Sequence, residues 1–419
     1  MSALFLGPDT PEARFNDLDY ARCLEQYGEM PVHRLDPDAV YAEYGLSGLE
    51  RQIRDLVNTR AVSMLFYGLG FEFNFRPEFL SEDLSSVYRV LILGDDEHYF
   101  DLSHRYYAQC FDLVLTNNPL CERFHLYGID CLFLPNVFDA ALFSPDRTRT
   151  KDIDVSFVGA MNGKVGRQRY ANALLRAGVD LRLYGTGTEA GVIPQQEVIE
   201  VYRRSRVNLN FTGGNVVTPL DSNPDINERV RQVKGRCGKI ALCGSFILSE
   251  DAGGIDRLFQ PGTEIDVFDS EQELVEKVKR YLHDENRREE MATRAHFRAV
   301  AEYDEARFWP RMITLIRERM KLPRGRDLTV CIDPPFWSAF GAWRMKYVVV
   351  FLLTGKLRKL LEELALLLRV GRCNLRAAVW FGGMGLIAAS RTSLFAASLA
   401  RVIRELRRTV RRRRFARHA

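Results

Sequence analysis

The 419-residue sequence offers little to metal or disulfide chemistry. Its eight cysteines (Cys23, Cys110, Cys121, Cys131, Cys237, Cys243, Cys331 and Cys373) form no Cys-x-x-Cys pair. Neither they nor the seven dispersed histidines fall at zinc-ligand spacing, so no metal is expected. Single cysteines in apolar runs behave as small hydrophobes and fit a reducing, cytoplasmic setting. The opening MSALFLGPDTPEARF has no basic n-region and no long apolar run, so no signal peptide is expected there. The apolar runs 345–355 and 377–389 are shorter than the ~18 residues of a spanning helix, and Arg391 interrupts the second. Acids are scarce beyond Phe340. Residues 341–419 hold 18 Lys and Arg against Glu362, Glu363 and Glu405, a net charge of +15; the whole chain is +4, which leaves −11 on residues 1–340. An acidic body with a basic tail suits an anionic surface, membrane or nucleic acid, and the inner face of the membrane is the expected one. No nucleic acid is expected, because the body is acidic and no nucleic-acid motif occurs.

With 46% hydrophobic and 27% charged residues, the chain has material for real cores, and at about 150 residues per domain it divides into two or three. Helical spacing of Leu46, Leu49, Ile53, Leu56 and Val57 is followed by apolar runs at 61–68, 87–94, 111–116 and 131–135, separated by helix-length polar segments. This βα alternation predicts a parallel sheet covered by helices. Periodicity fades at 137–152, which reads as a linker. A second βα series runs through 154–159, 179–185, 206–211, 244–250 and 264–268, with helices over 270–301 and 304–320. Two α/β units of this kind face each other across a cleft at the carboxyl ends of their sheets, where ligands bind.

Three glycine-bearing turns follow strands of the second unit. They are Gly159-Ala160-Met161-Asn162-Gly163 with Lys164, Arg167 and Arg169 behind it, Gly185-Thr186-Gly187, and Glu250-Asp251-Ala252-Gly253-Gly254. Glycine lets a backbone approach a phosphate, and Lys or Arg can neutralise a diphosphate without a metal. Such turns are also common in any α/β protein, so alone they leave the choice open. In the first unit, Asp95-Asp96-Glu97-His98 follows a strand. These side chains can hold an acceptor hydroxyl and take its proton, or simply cap the next helix. The aromatic run Phe66 to Phe75 can stack on sugar rings or pack in the core.

From Asp154 to about Tyr303 the sequence resembles the C-terminal domain of CgeB-like glycosyltransferases, a bacterial branch of the GT-B superfamily. The residues that carry it are DVSFVGAMNGKVGRQRY, LRLYG, SRVNLNF and QVKGRCGKIALCGSFILSEDAGGIDRLFQPGTEIDVF, with EQELVEKVKRYLHDENRREEMA behind them. LILGDDEHYF, FDLVLTNNP and CLFLPNVFDAALFSP extend a weaker likeness into the first unit. The resemblance implies two Rossmann-like domains: an acceptor domain at 1–138, a linker at 139–152, and a sugar-nucleotide domain at 153–303. A closing helix and connector at 304–340 and a basic amphipathic helical tail at 341–419 lie beyond them. It implies metal-independent, retaining transfer of a hexose from a nucleotide-sugar, a substrate rather than a cofactor. The acceptor would be a glycan, lipid-linked or surface-polysaccharide molecule. It also implies a donor site at Gly159, Asn162, Arg167, Gly185, Lys234, Arg236, Lys239, Glu250, Asp251, Gly253 and Gly254. Asp95, Asp96 and His98 are the catalytic candidates. One departure stands out: the family pattern has Glu, expected to hold the ribose hydroxyls, where this chain has Lys239. An ammonium can only donate, so a catalytically inactive GT-B scaffold recruiting partners at the membrane is the rival expectation. The tail, with a leucine-rich face over 357–372 and nine arginines within 401–417, is expected to bind membrane and to be removable without loss of nucleotide binding, the alternative being a helical subdomain packed on the acidic surface of the body.

Overall fold

Apolar runs without alternation belong to strands buried on both faces, and the sequence YRVLIL is one of these: every residue of it is buried. The protein, described from a computed structural model over residues 2–8, 19–70, 72–213, 230–322 and 332–391, builds two such sheets. The first comprises β1 (Ser2–Leu6), β2 (Val32–Leu35), β3 (Val62–Leu69), β4 (Tyr88–Leu93), β5 (Leu113–Thr116) and β6 (Cys131–Phe133). They are parallel and ordered β2-β1-β3-β4-β5-β6. The second comprises β7 (Ile153–Val158), β8 (Leu181–Tyr184), β9 (Ser205–Asn210), β10 (Ile247–Glu250) and β11 (Asp266–Phe268), also parallel, ordered β11-β10-β9-β7-β8. Each order reverses once, beside β1 in one sheet and beside β7 in the other. A crevice opens at such a switch point, at the carboxyl ends of the strands.

The chain crosses between the domains twice, side by side. Phe138 N–H donates to Tyr303 C=O (3.0 Å), and Glu305 N–H donates to Phe138 C=O (3.0 Å). The returning helix Glu305–Lys321, capped by Asp304, buries Trp309, Met312, Ile313 and Ile316 in the first domain with Leu24, Phe66 and Leu134. Arg257 donates to Pro119 C=O at 2.7 Å and pairs with Glu122, fastening the second domain to the first across the cleft floor.

The boundary drawn at Phe340 does not coincide with a break in the structure. A single helix, Pro334–Leu353, runs through it and buries Phe336, Phe340, Trp343, Tyr347 and Phe351 against Tyr41, Phe73, Tyr107 and other residues of the first core. A helix apolar on every side is a buried helix. The two basic residues counted as tail charge are internal. Lys346 pairs with Asp38 (2.5 Å), and Arg344, with no exposed surface, bonds Tyr41 Oη and Phe73 C=O. The helix Leu375–Ala389 packs so closely that a Cβ on Gly385 would lie 2.2 Å from Lys346 C=O. Residues 341–391 are therefore partly structural, whereas the arginine-rich 401–417 falls outside the described residues. Arg344→Ala would strand the buried Glu363–Tyr41 hydrogen bond without its cation. Breaking such a buried charge network is expected to cost about 3–5 kcal/mol, measurable by urea denaturation.

Candidate active site

β7 ends at Val158, and the Gly159–Gly163 turn then leads into the helix Val165–Arg176. β9 ends at Asn210, beside β7 at the switch point. Arg236, first residue of the helix Arg236–Leu242, lies across these two ends: its Nε donates to Val158 C=O and its Nη1 to Asn210 Oδ1, both at 2.6 Å. Its guanidinium occupies the space of a side chain at position 159, where a Cβ would stand 2.6 Å from Arg236 Nη2. A side chain at Gly159 would have to displace the Arg236 guanidinium and the Phe157 ring. Gly185 (φ 122°) is required by the backbone itself, since a Cβ there would meet Gly159 C=O at 2.4 Å.

Arg167 projects from the neighbouring helix, donating to Ala160 C=O (2.7 Å) and Gly213 C=O (3.4 Å). Its Nε is buried without a hydrogen-bond partner among the described residues. Lys164 and Lys234 complete a cluster of four cations. Burial lowers all four pKa values, and mutual repulsion deepens the shift for three of them. Arg167 falls to about 10 through burial and then Arg236; Lys164 falls to about 8 through burial, then Arg167 and Lys234; Lys234 is lowered by burial, with Asp95 and Glu97 working against it. Cations held together against burial and repulsion favour a bound polyanion.

The acids of the first domain close the opposite side. Asp95, in the left-handed region (φ 52°), lies 3.6 Å from Lys234 Nζ. Gln232 Nε2 bridges Asp95 Oδ1 (3.2 Å) and Glu97 Oε2 (2.9 Å). Burial holds the Glu97 carboxyl above its usual range. Glu97, read in the acidic run but not among the three catalytic candidates, and Gln232, not among the donor-site residues, therefore lie at the cleft. Asp96 turns the other way. It is fully buried, bonded to His104 Nδ1 (3.1 Å) and Arg123, while His104 Nε2 donates to Gly70 C=O (2.7 Å). His98 is also buried, against Tyr99.

The remaining donor-side residues are spread around the cluster. Asn162 packs on Gly187, and the Met161 and Asn162 amides donate to Thr186 C=O at 2.8 and 3.2 Å. Glu250 is committed internally: Oε2 accepts from Thr212 N (2.7 Å) and Gly213 N (2.9 Å), and Oε1 pairs with Arg231 (2.8 Å). Asp251 is exposed, and Gly253 and Gly254 pack on Leu120 and Pro119 of the first domain. The Lys239 ammonium lies over the rings of Phe138 (4.9 Å) and Phe143 (5.7 Å), at the crossover and not among the four cations.

Since the Lys164 pKa is about 8, the free site loses a charge above that pH. A bound anion would hold the proton on. Affinity for a nucleoside diphosphate is therefore expected to fall as pH rises through 8, by at most about tenfold per unit. Calorimetric titration at pH 7, 8 and 9 checks this.

A family model described as glycosyl transferase-like matches residues 167–313, about a third of the chain and most of the second domain. Solved structures share the architecture. Sucrose-phosphate synthase from Thermosynechococcus elongatus is 10% identical with a TM-score of 0.57, covering 76% of this chain and 99% of that one. HepE of Anabaena, in complex with UDP and glucose, is 14% identical with a TM-score of 0.52, covering 76% and 99%. A glycosyltransferase from Rickettsia africae is 8% identical with a TM-score of 0.51, covering 76% and 98%. No curated protein matches the chain in sequence. The fold is GT-B: two Rossmann-like domains facing across a cleft, with a helical C-terminal region.

Proposed function

We propose that the protein is a glycosyltransferase whose second domain holds a nucleotide-sugar and whose first domain presents the acceptor. The observation that carries the reading is the set of four basic side chains at the β7/β9 switch point, with Arg167 Nε buried and unpartnered among the described residues. These cations can stabilise a departing diphosphate as charge develops on it, so transfer is proposed to need no divalent metal. Asp95 and Glu97 are placed to accept the acceptor hydroxyl, and a retaining hexosyl transfer of the CgeB-like kind is the reading the motifs support. HepE, with its bound UDP and glucose, supports a nucleotide-sugar donor.

The protein is further proposed to work at the inner face of a membrane on a glycan or lipid-linked acceptor. Among the described residues no helix is long and apolar enough to cross a bilayer. The helix Leu357–Val370 instead turns Leu357, Leu361, Leu364 and Leu368 outward at spacings of four, three and four. Arg358, Arg369, Arg372 and Arg376 are exposed around them. An anionic bilayer complements both features.

Lys239, in place of the family Glu, favours the inactive scaffold as the second reading. The deciding experiment incubates full-length protein with a panel of sugar nucleotides in EDTA. Release of a nucleoside diphosphate supports the transferase. Tight binding of a sugar nucleotide without release supports the scaffold, and no binding to any member contradicts both.

A further inference from the structure

A cavity of about 480 Å³ opens at the other switch point, over the carboxyl ends of β1, β3 and β4. Asp95 lines it and also faces Lys234, so the cavity adjoins the cationic site through Asp95. Its apolar wall is aromatic, with Phe5, Tyr20, Tyr67 and Tyr99. Tyr67, only 2% exposed, keeps its hydroxyl without a hydrogen-bond partner among the described residues.

The charge in this cavity is one-sided. Among the described residues five carboxylates line it, from Asp19, Asp36, Asp38, Glu72 and Asp95, against one base, Arg34. Arg34 is already 3.4 Å from Asp19, and Lys346 answers Asp38 from behind. Asp36 accepts from the Asp38 and Ala39 amides (2.9 and 3.1 Å), and Glu72 accepts from the Gly70 amide (2.9 Å). Burial and the Asp38 charge hold the Glu72 carboxyl above its usual range. The two switch points therefore have opposite polarity: a basic one in the second domain and an acidic, aromatic one in the first.

We propose that this cavity is an acceptor subsite for a glycosyl residue without negative charge, and that its carboxylates exclude acceptors carrying a carboxylate or phosphate on that residue. Carboxylates and the Tyr67 hydroxyl satisfy sugar hydroxyls, and aromatic faces stack on the apolar face of a pyranose. An anion in the same place would be desolvated beside like charges, with no unpaired cation among the described lining residues. The inference rests on the transferase reading for the word acceptor, but its test does not.

Saturation-transfer NMR on full-length protein, with methyl glucoside, glucosamine and glucuronate as probes, measures the selectivity. A nucleoside diphosphate in the same sample reports the donor site. Methyl glucoside is expected to bind at least about tenfold tighter than glucuronate, with the gap narrowing at high salt. Glu72→Gln and Asp36→Asn, made separately and together, are expected to narrow it as well, with diphosphate binding unchanged. Glucuronate binding as tightly as methyl glucoside overturns the proposal. So does glucosamine binding more weakly than glucuronate, or the absence of any saccharide binding while the diphosphate binds. Loss of diphosphate binding alone would count against the donor site and leave the subsite standing.

Discussion

Replacing Lys164 and Lys234 together with alanine is expected to weaken binding of a nucleoside diphosphate by a factor on the order of a hundred to ten thousand. A hydrogen bond to a charged group contributes about 1.5–3 kcal/mol, or roughly ten- to hundredfold per contact. Neither lysine holds the fold together. Lys234 contacts Asp95 and Gln232 at the cleft, and the Lys164 pKa is depressed by burial and then by the Arg167 and Lys234 charges. The ligand-free variant should therefore melt at the same temperature as the wild type or higher, because repulsion in the cluster is relieved. Lys234→Arg, which keeps the charge, should retain most of the affinity. A double variant that binds as the wild type does would remove the diphosphate from this site.

The second large effect is on stability. Cutting the chain after Phe340 removes Trp343, Tyr347, Phe351 and Phe381, all buried against the first domain. Losing one large aromatic from a core costs about 3–5 kcal/mol, and a whole domain is typically stable by only about 5–15 kcal/mol. The truncated protein is expected not to fold, so truncation cannot test membrane binding. Leu357, Leu361, Leu364 and Leu368 can be changed to serine instead, since they are exposed. Full burial of a leucine contributes about 1.5–3 kcal/mol, so even partial insertion of four predicts more than a tenfold loss of partition into anionic liposomes. The melting temperature should not fall. A wild-type protein that fails to float with such liposomes at low salt contradicts the membrane reading.

The two parallel sheets were legible because their inner strands, such as YRVLIL and SFV within β7, are apolar runs set at βα spacing. β1 and β2 were not. SALFL is too short to show a period, and VHRL exposes part of its surface at the sheet edge. The helix Pro334–Leu353 was concealed by its charges: Arg344 and Lys346 look like surface residues until Tyr41, Phe73 and Asp38, some 270 to 310 positions earlier, are brought to them. At the site, the basic turns were readable from their residues and position. Which acid faces the cleft was not, because Asp96 is drawn inward by His104 and Arg123, and Glu97 is held outward by Gln232. Gln232 opens the QVKGR run of the resemblance, but nothing in that run marks it as the residue that faces Asp95 and Glu97.

The most direct test is calorimetric titration of the full-length protein at pH 7 with a panel of nucleoside diphosphates and with the matching nucleosides. If Lys164, Arg167, Lys234 and Arg236 hold the diphosphate of a sugar nucleotide, one diphosphate should bind with a stoichiometry of one. It should bind at least about a hundredfold tighter than its nucleoside, given the worth of two or more charge-assisted contacts. Equal affinities for diphosphate and nucleoside, or no binding by any diphosphate in the panel, would contradict it.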